Sequence, residues 1–167
     1  MTSLDAMTET EFTGFVQRII PDYARGKVSA GNWAVEESLQ KSKEAINSLL
    51  PQGLSTPDNY LFTIKHDGEA VGHLWLAIQH RADGRFGYIY DVYIAEPFQR
   101  RGIATNAMRL LEDEASRLGF SSLSLHVFGH NTAARALYEK LGYQITNLNM
   151  SKTLPRSNEQ RPQKRKI

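Results

Sequence analysis

Residues 86–128 read "FGYIYDVYIAEPFQRRGIATNAMRLLEDEASRLGFSSLSLHVF", and the spacing of their apolar residues changes twice. As far as Ile94, apolar and aromatic residues crowd together as they do in a strand. From about 102 to 118 they recur every three or four residues: Ile103, Ala107, Leu110, Leu111, Ala115 and Leu118. That is the period of a helix with one buried face. Gly119 supplies a stop. Over 121–128, Leu123, Leu125 and Val127 alternate with Ser122, Ser124 and His126, which predicts a second strand. A strand, a helix and a strand in this order make a crossover whose two strands lie parallel. The junction "QRRGIA" at 99–104 therefore falls at the C-terminal end of the first strand, where open sheets bind ligands.

Upstream, "YLFTIKH" (60–66) and "AVGHLWLAIQ" (70–79) predict two more strands, and Asp67-Gly68 and Asp83-Gly84 are the hairpin signals that separate the three. Together they form an antiparallel meander leading into the crossover. Two helices precede it. The first spans about 8–25, with a capping pair at Thr8 and Glu11 and with Pro21 as a kink or an end. The second spans about 32–50, with Val35, Leu39, Ile46, Leu49 and Leu50 on its inward stripe. Downstream, a helix opens at Asn131 and stops at Gly142, and a final strand pair occupies roughly 143–154. With no repeat and no interior linker, the expectation is one α+β domain over 1–154, a mixed sheet with helices on both faces.

Composition narrows the function classes. The 167 residues include no cysteine, which excludes disulfides, thiolate metal sites and a cysteine nucleophile. The five histidines show no HExxH spacing, so no metal is expected. There is neither a signal-peptide pattern nor an apolar run long enough for a bilayer, so a cytoplasmic protein with no membrane partner is expected. The net charge of +2 is uneven. From residue 151 on, six basic residues face only Glu159, a net +5, leaving the body at −3. "PRSNEQRPQKRKI" (155–167) accordingly reads as a basic, disordered tail, and the acidic body is no nucleic-acid binder.

The first turn of a helix leaves about four backbone N–H groups unpaired and carries about half a positive charge, a natural phosphate site. Gly102 removes side-chain bulk there, and Arg100 and Arg101 add charge. Without a GxxxxGK[ST] loop or a carboxylate placed for magnesium, the ligand expected is a diphosphate held by backbone.

The pattern Gln99-Arg100-Arg101-Gly102-Ile103-Ala104 resembles the acyl-CoA-binding segment of the GNAT superfamily of N-acetyltransferases, Gln/Arg-x-x-Gly-x-Gly/Ala. "NTAARALYEKLGY" (131–143) is similar to the same family's Asn-x-x-Ala-x-x-x-Tyr-Glu-x-x-Gly-Phe/Tyr segment. The two occur in the family's order and cover about 60–154. The likeness departs at Ala104, where a second glycine is usual, and before Thr8, where no first strand is evident. It implies a GNAT-type fold and acetyl-CoA as cosubstrate. The backbone of Val92, Tyr93 and Ile94 would pair with the pantetheine arm, the turn of Arg100, Arg101, Gly102, Ile103, Ala104 and Thr105 would hold the pyrophosphate, and Asn131 would bond to the pantetheine. The acceptor would be an amine-bearing small molecule, a protein N-terminus or a lysine, and the assembly a monomer or a homodimer. A non-catalytic acyl-CoA sensor or partner-binding domain is the alternative.

Direct attack of a bound amine on the thioester suits a chain without cysteine. The resemblance makes Tyr138 the proton donor to the departing thiolate, and Asn131 and Tyr138, seven residues apart, share one helical face. Three sites could supply a base. His126 occupies a strand position where some relatives place a glutamate, and an imidazole titrates in the useful range, with a hydrogen-bonded strand histidine as the competing role. Asp91 occupies a slot where polyamine-acetylating relatives carry an acid pair, though here Tyr90 replaces one member and a structural ion pair is the competing role. Glu36 and Glu37 fit a solvated helix face better than a substrate contact.

Overall fold

The computed structural model describes residues 1–81 and 84–154. Three antiparallel strands, β2 (Asn59–His66), β3 (Glu69–Arg81) and β4 (Gly84–Ile94), form the expected meander. The β2–β3 turn has positive φ at both Asp67 and Gly68, as a two-residue hairpin demands. The second hairpin signal lies partly, and the tail 155–167 wholly, outside the described residues. Helix α3 (Ile103–Arg117) then crosses over, and β5 (Leu123–Leu125) pairs with β4 in parallel.

Helices cover both faces of the sheet. On one face Ile64, Leu74, Leu76 and Ile89 pack with Ile103, Ala107, Met108 and Leu111 of α3. On the other, Leu61 and Trp75 pack with Phe15 and Ile19 of α1 (Glu9–Ser29) and Ile46 of α2 (Val35–Leu49). The Trp75 indole donates to Asn59 Oδ1 at 2.7 Å, so the buried ring leaves no orphan donor. Helix α4 (Thr132–Lys140) joins the α3 side through Tyr138 and Leu141.

Several expectations are overturned. Residues Thr2–Ala6 form a strand, β1, antiparallel to β2 at the edge of a sheet ordered β1-β2-β3-β4-β5. Five residues suffice because Asp67 N–H donates to Met1 O and Met7 N–H to Leu61 O, tying down both ends. Pro21 does not end α1, which continues to Ser29 because Ala24, beyond it, is still buried. The inward face of α2 is not the predicted one. Val35 is 68% and Leu39 58% exposed, while Ser38 and Ser42 are buried. Serine wins that face because it is small and can be satisfied: Ser42 Oγ donates to Ile20 O at 2.6 Å, drawing α2 close to α1. In α3, Met108 is buried where Leu110 was expected. The strand predicted over 121–128 pairs only at Leu123–Leu125, and no strand forms over 143–154.

Candidate active site

The shortness of β5 makes the site. Ladder contacts between β4 and β5 run only from Gly87–Ile89 to Leu123–Leu125, after which the strands part. The gap is a cleft of about 130 Å³, lined by Tyr90, Asp91 and Val92 on the β4 side and by His126, Val127 and Phe128 on the other, with Asn131 and Tyr138 of the α4 segment between. Val92, Tyr93 and Ile94 pair with Leu74, His73 and Gly72 of β3. On their other side β5 has already departed, so a length of β4 backbone is open to an extended ligand.

A bulge aims the side chains at this point. Trp75 faces Asp91 and the next residue, Leu76, faces Ile89, which leaves Tyr90 as the extra residue. Tyr90 stacks on Trp75 at 4.5 Å between centroids. Asp91 follows it toward the same layer and pairs with Arg18 of α1.

Beyond β4 the chain turns tightly into α3. Arg100 has φ 62° and Gly102 φ 77°, and no side chain caps the helix. The first-turn N–H groups are therefore open, and a Cβ at Gly102 would meet nothing within 4 Å, so the turn faces free space. Arg100 and Arg101 are exposed there, with the Arg101 guanidinium over the Phe98 ring at 5.5 Å. Gln99 Nε2 donates to Ile94 O at 2.8 Å and pins the turn to the strand end. Ile103 is buried in the core, whereas Ala104 and Thr105 are partly exposed.

Tyr138 lies against the α3-side core, its ring 5.8 Å from that of Tyr143. Burial, and secondarily the Asp91 charge, pushes its hydroxyl up to about 12, so it stays protonated and can donate. Asn131 caps α4 through Oδ1, which accepts from Ala134 N–H at 3.2 Å, leaving its amide N–H groups for a ligand. His126 also lines the cleft, and partial burial followed by the Lys27 charge holds its pKa below 6.5. His130 stands four residues on in "HVFGH", but the Phe128 ring packs against both imidazoles. Burial, only partly countered by Arg18, raises the pKa of Asp91, and Arg18 also bonds Asp22 at 3.0 Å. Glu37 pairs with Lys41 along α2.

The cleft thus brings together Tyr138, His126, Asp91, Val92 and Asn131, with the 100–105 turn at the end of β4. Two neighbours escaped the sequence reading. Arg18 holds Asp91 and lies 4.1 Å over the Tyr93 ring. His73 stacks on that same ring, and burial and the Arg18 charge depress its pKa to about 4. A signal existed for Arg18, a cation three residues after Phe15 within an apolar stripe. His73 carried none.

Residues 17–143 match the acetyltransferase (GNAT) family. The chain belongs to that family. Among GNAT relatives, the uncharacterised N-acetyltransferase YycN of Bacillus subtilis is 38% identical over 90% of this chain and 97% of its own length. YdgE of the same organism is 35% identical over 91% and 98%. The solved structure of YycN superposes with a TM-score of 0.89 at 37% identity, covering 93% of this chain and all of the other. The diverging strands, the open helix start and the crossover are accordingly those of a GNAT acetyltransferase. No helix among the described residues is long and apolar enough to cross a membrane.

Proposed function

We propose that the protein transfers the acetyl group of acetyl-CoA to a primary amine by direct attack within a ternary complex. The observation that carries this reading is a protonated, partly buried tyrosine in a strand-splayed cleft that ends at an uncapped helix start. The open edge at Val92–Ile94 suits the amide-bearing pantetheine arm. The N–H groups of Ile103, Ala104 and Thr105, with Arg100 and Arg101, suit the diphosphate. Asn131 contributes its free amide donors to the same arm.

Acetyl-CoA supplies the thioester. The amine nitrogen forms a bond to its carbonyl carbon as the C–S bond breaks. Tyr138 gives its hydroxyl proton to the departing sulfur and regains one from solvent, and His126 accepts the proton lost by nitrogen. A lysine-like amine is only about 0.1% neutral at pH 7.4, a handicap of roughly 4 kcal/mol, whereas an α-amine is at least about one-fifth neutral. His126 therefore matters most for a lysine-like acceptor. Asp91, engaged by Arg18, acts here as a positioning group beneath Tyr90 and Tyr93 rather than as the base. The domain comprises residues 1–154 with 155–167 as a tail, and works in the cytoplasm.

Free-thiol release from acetyl-CoA, measured against a panel of peptides, amino acids and polyamines, tests the reading. Turnover with at least one amine is expected, and binding without any turnover would make the domain a sensor. Gly102→Glu should abolish the thermal shift given by acetyl-CoA, because it sets a carboxylate where the diphosphate docks, and at φ 77° it should lower Tm by only a few degrees. An undiminished ligand shift in that variant would remove the anion site.

A further inference from the structure

Helix α1 extends past β4 to the opposite wall of the cleft. A Cβ at Gly26 would come within 2.5 Å of the Phe128 ring, so the helix passes that wall at backbone distance. The next residue, Lys27, holds its ammonium 5.4 Å from the Tyr23 ring and 5.6 Å from the Trp33 ring, and those two rings meet edge to face. Its charge is felt inside the cleft, where it follows burial as a cause of the lowered pKa of His126.

Charge at this end of the cleft is one-sided. Asp91, the sole carboxylate lining the cleft among the described residues, is bonded by Arg18. Asp22, one turn before Gly26 on α1, is bonded by both Arg18 and Arg25. Lys27, among the described residues, has two aromatic rings and no carboxylate as partners. A cation held by rings alone keeps its charge for a ligand. Beside it, Phe128 and Tyr90 give the cleft an apolar lining, and Tyr90 is fixed by its stack on Trp75 and its edge contact with Tyr88.

We propose that Lys27 anchors the carboxylate of the acceptor, and that this acceptor is an α-amino acid whose amine faces His126 and whose apolar side chain lies against Tyr90 and Phe128. The inference rests on the amine transfer proposed above, the products being the N-acetyl amino acid and CoA. Because Lys27 and His126 are near enough to interact, the carboxylate and the amine they engage must be only a few atoms apart, as in an α-amino acid. Pairing the carboxylate also weakens the field that keeps the neighbouring amine protonated, which favours the nucleophilic form. A polyamine would bring a second ammonium to a cation, with Asp91 already engaged.

Calorimetric titration of the full chain in the presence of CoA reads acceptor binding without turnover. L-Phenylalanine should bind at least about tenfold more tightly than phenethylamine, which lacks the carboxylate, and than spermidine; tenfold is the low end of what one hydrogen bond to a charged group contributes. Lys27→Met keeps the stem between the rings and removes the charge, so phenylalanine and phenethylamine should then bind equally, with acetyl-CoA binding unchanged. Lys27→Glu should reverse the preference. In turnover, the KM for phenylalanine should rise about tenfold in Lys27→Met while the KM for acetyl-CoA holds. The proposal is overturned by a wild type that does not bind phenylalanine, by one that binds phenethylamine or spermidine as tightly, or by an acid preference that survives in Lys27→Met. Acid-selective binding without thiol release would keep the carboxylate site and remove the transfer; thiol release with phenethylamine or spermidine but not phenylalanine would do the opposite.

Discussion

Among the described residues, the chain up to Ala115 supplies every buried apolar side chain, from Met7 through Trp75 to Leu111 and Ala115. From there to Leu154, among the described residues, it supplies none. The first region owns a core on each face of its sheet. The second leans on that core through Leu123, Leu125, Tyr138 and Leu141, and supplies the second wall of the cleft. The buried core is concentrated in the first region, and the proposed proton donor and base, Tyr138 and His126, lie in the second, so substitutions should separate stability from turnover.

Tyr138→Phe should have the largest effect. It removes one oxygen and keeps the packed ring, so kcat and kcat/KM should fall together by about 10²–10⁴, roughly 3–5 kcal/mol of transition-state stabilisation, while acetyl-CoA binding and Tm hold. A lowered Tm with normal turnover would instead make this tyrosine part of the core. Trp75→Ala should cost about 3–5 kcal/mol in denaturant unfolding, because it opens a cavity and orphans Asn59. Its counterpart in the second region, Glu139→Ala, deletes an exposed pairing with Arg135 at 3.8 Å and should change stability by less than about 0.5 kcal/mol. Comparable losses from both would erase the division between regions.

His126→Ala should slow a lysine-like acceptor by about 10²-fold and an α-amine by less. The lowered pKa of His126 keeps the base neutral somewhat below pH 6.5, so the acidic limb of kcat/KM should lie below that value and vanish in the variant. A pH profile identical to wild type would pass the role to water. A smaller effect than those of Tyr138 and Trp75 concerns His73, whose ordinary pKa of 6.5 falls to about 4 in the fold because it is partly buried beside the Arg18 charge. Between those values the unfolded chain binds the extra proton, so stability should fall as pH drops from about 6.5 to 4. The full shift corresponds to about 3 kcal/mol, and half-exposure to solvent reduces it to about 1–2. His73→Phe should flatten that part of a Tm-versus-pH curve.

What could be read from residues alone follows from range. The meander, α3 and its glycine turn, and the Asn131–Tyr138 helix depend on signals within a few residues of each other, and each stands where expected. The misreadings involve distant partners. Ser42 is buried because Ile20, twenty-two residues away, offers a carbonyl, and no helical periodicity reveals that. Strand β1 is short and its pattern weak, and it exists because β2 offers an edge sixty residues on. The alternation over 143–154 predicts a strand pair, yet no strand forms there, because alternation alone does not supply an edge to pair with. Asp91 was placed in the cleft by resemblance, but its engagement by Arg18 required knowing that α1 crosses β4.

The extra residue in β4 carries a consequence for chain length. Before it, Gly87 and Ile89 face the α3 layer and Tyr88 the α1 layer; after it, Asp91 and Tyr93 face α1 and Val92 faces α3. The strand thus slips half a pleat between Ile89 and Asp91. Deleting Tyr90 would restore the regular alternation and leave the following residues on their present faces, Asp91 and Tyr93 toward α1 and Val92 and Ile94 toward α3, so that only the stack on Trp75 is lost. At this point in the chain the bulge makes length more forgiving than identity, and the loss of Tyr90 should be tolerated better than a replacement that puts a charge at Val92 or Ile94.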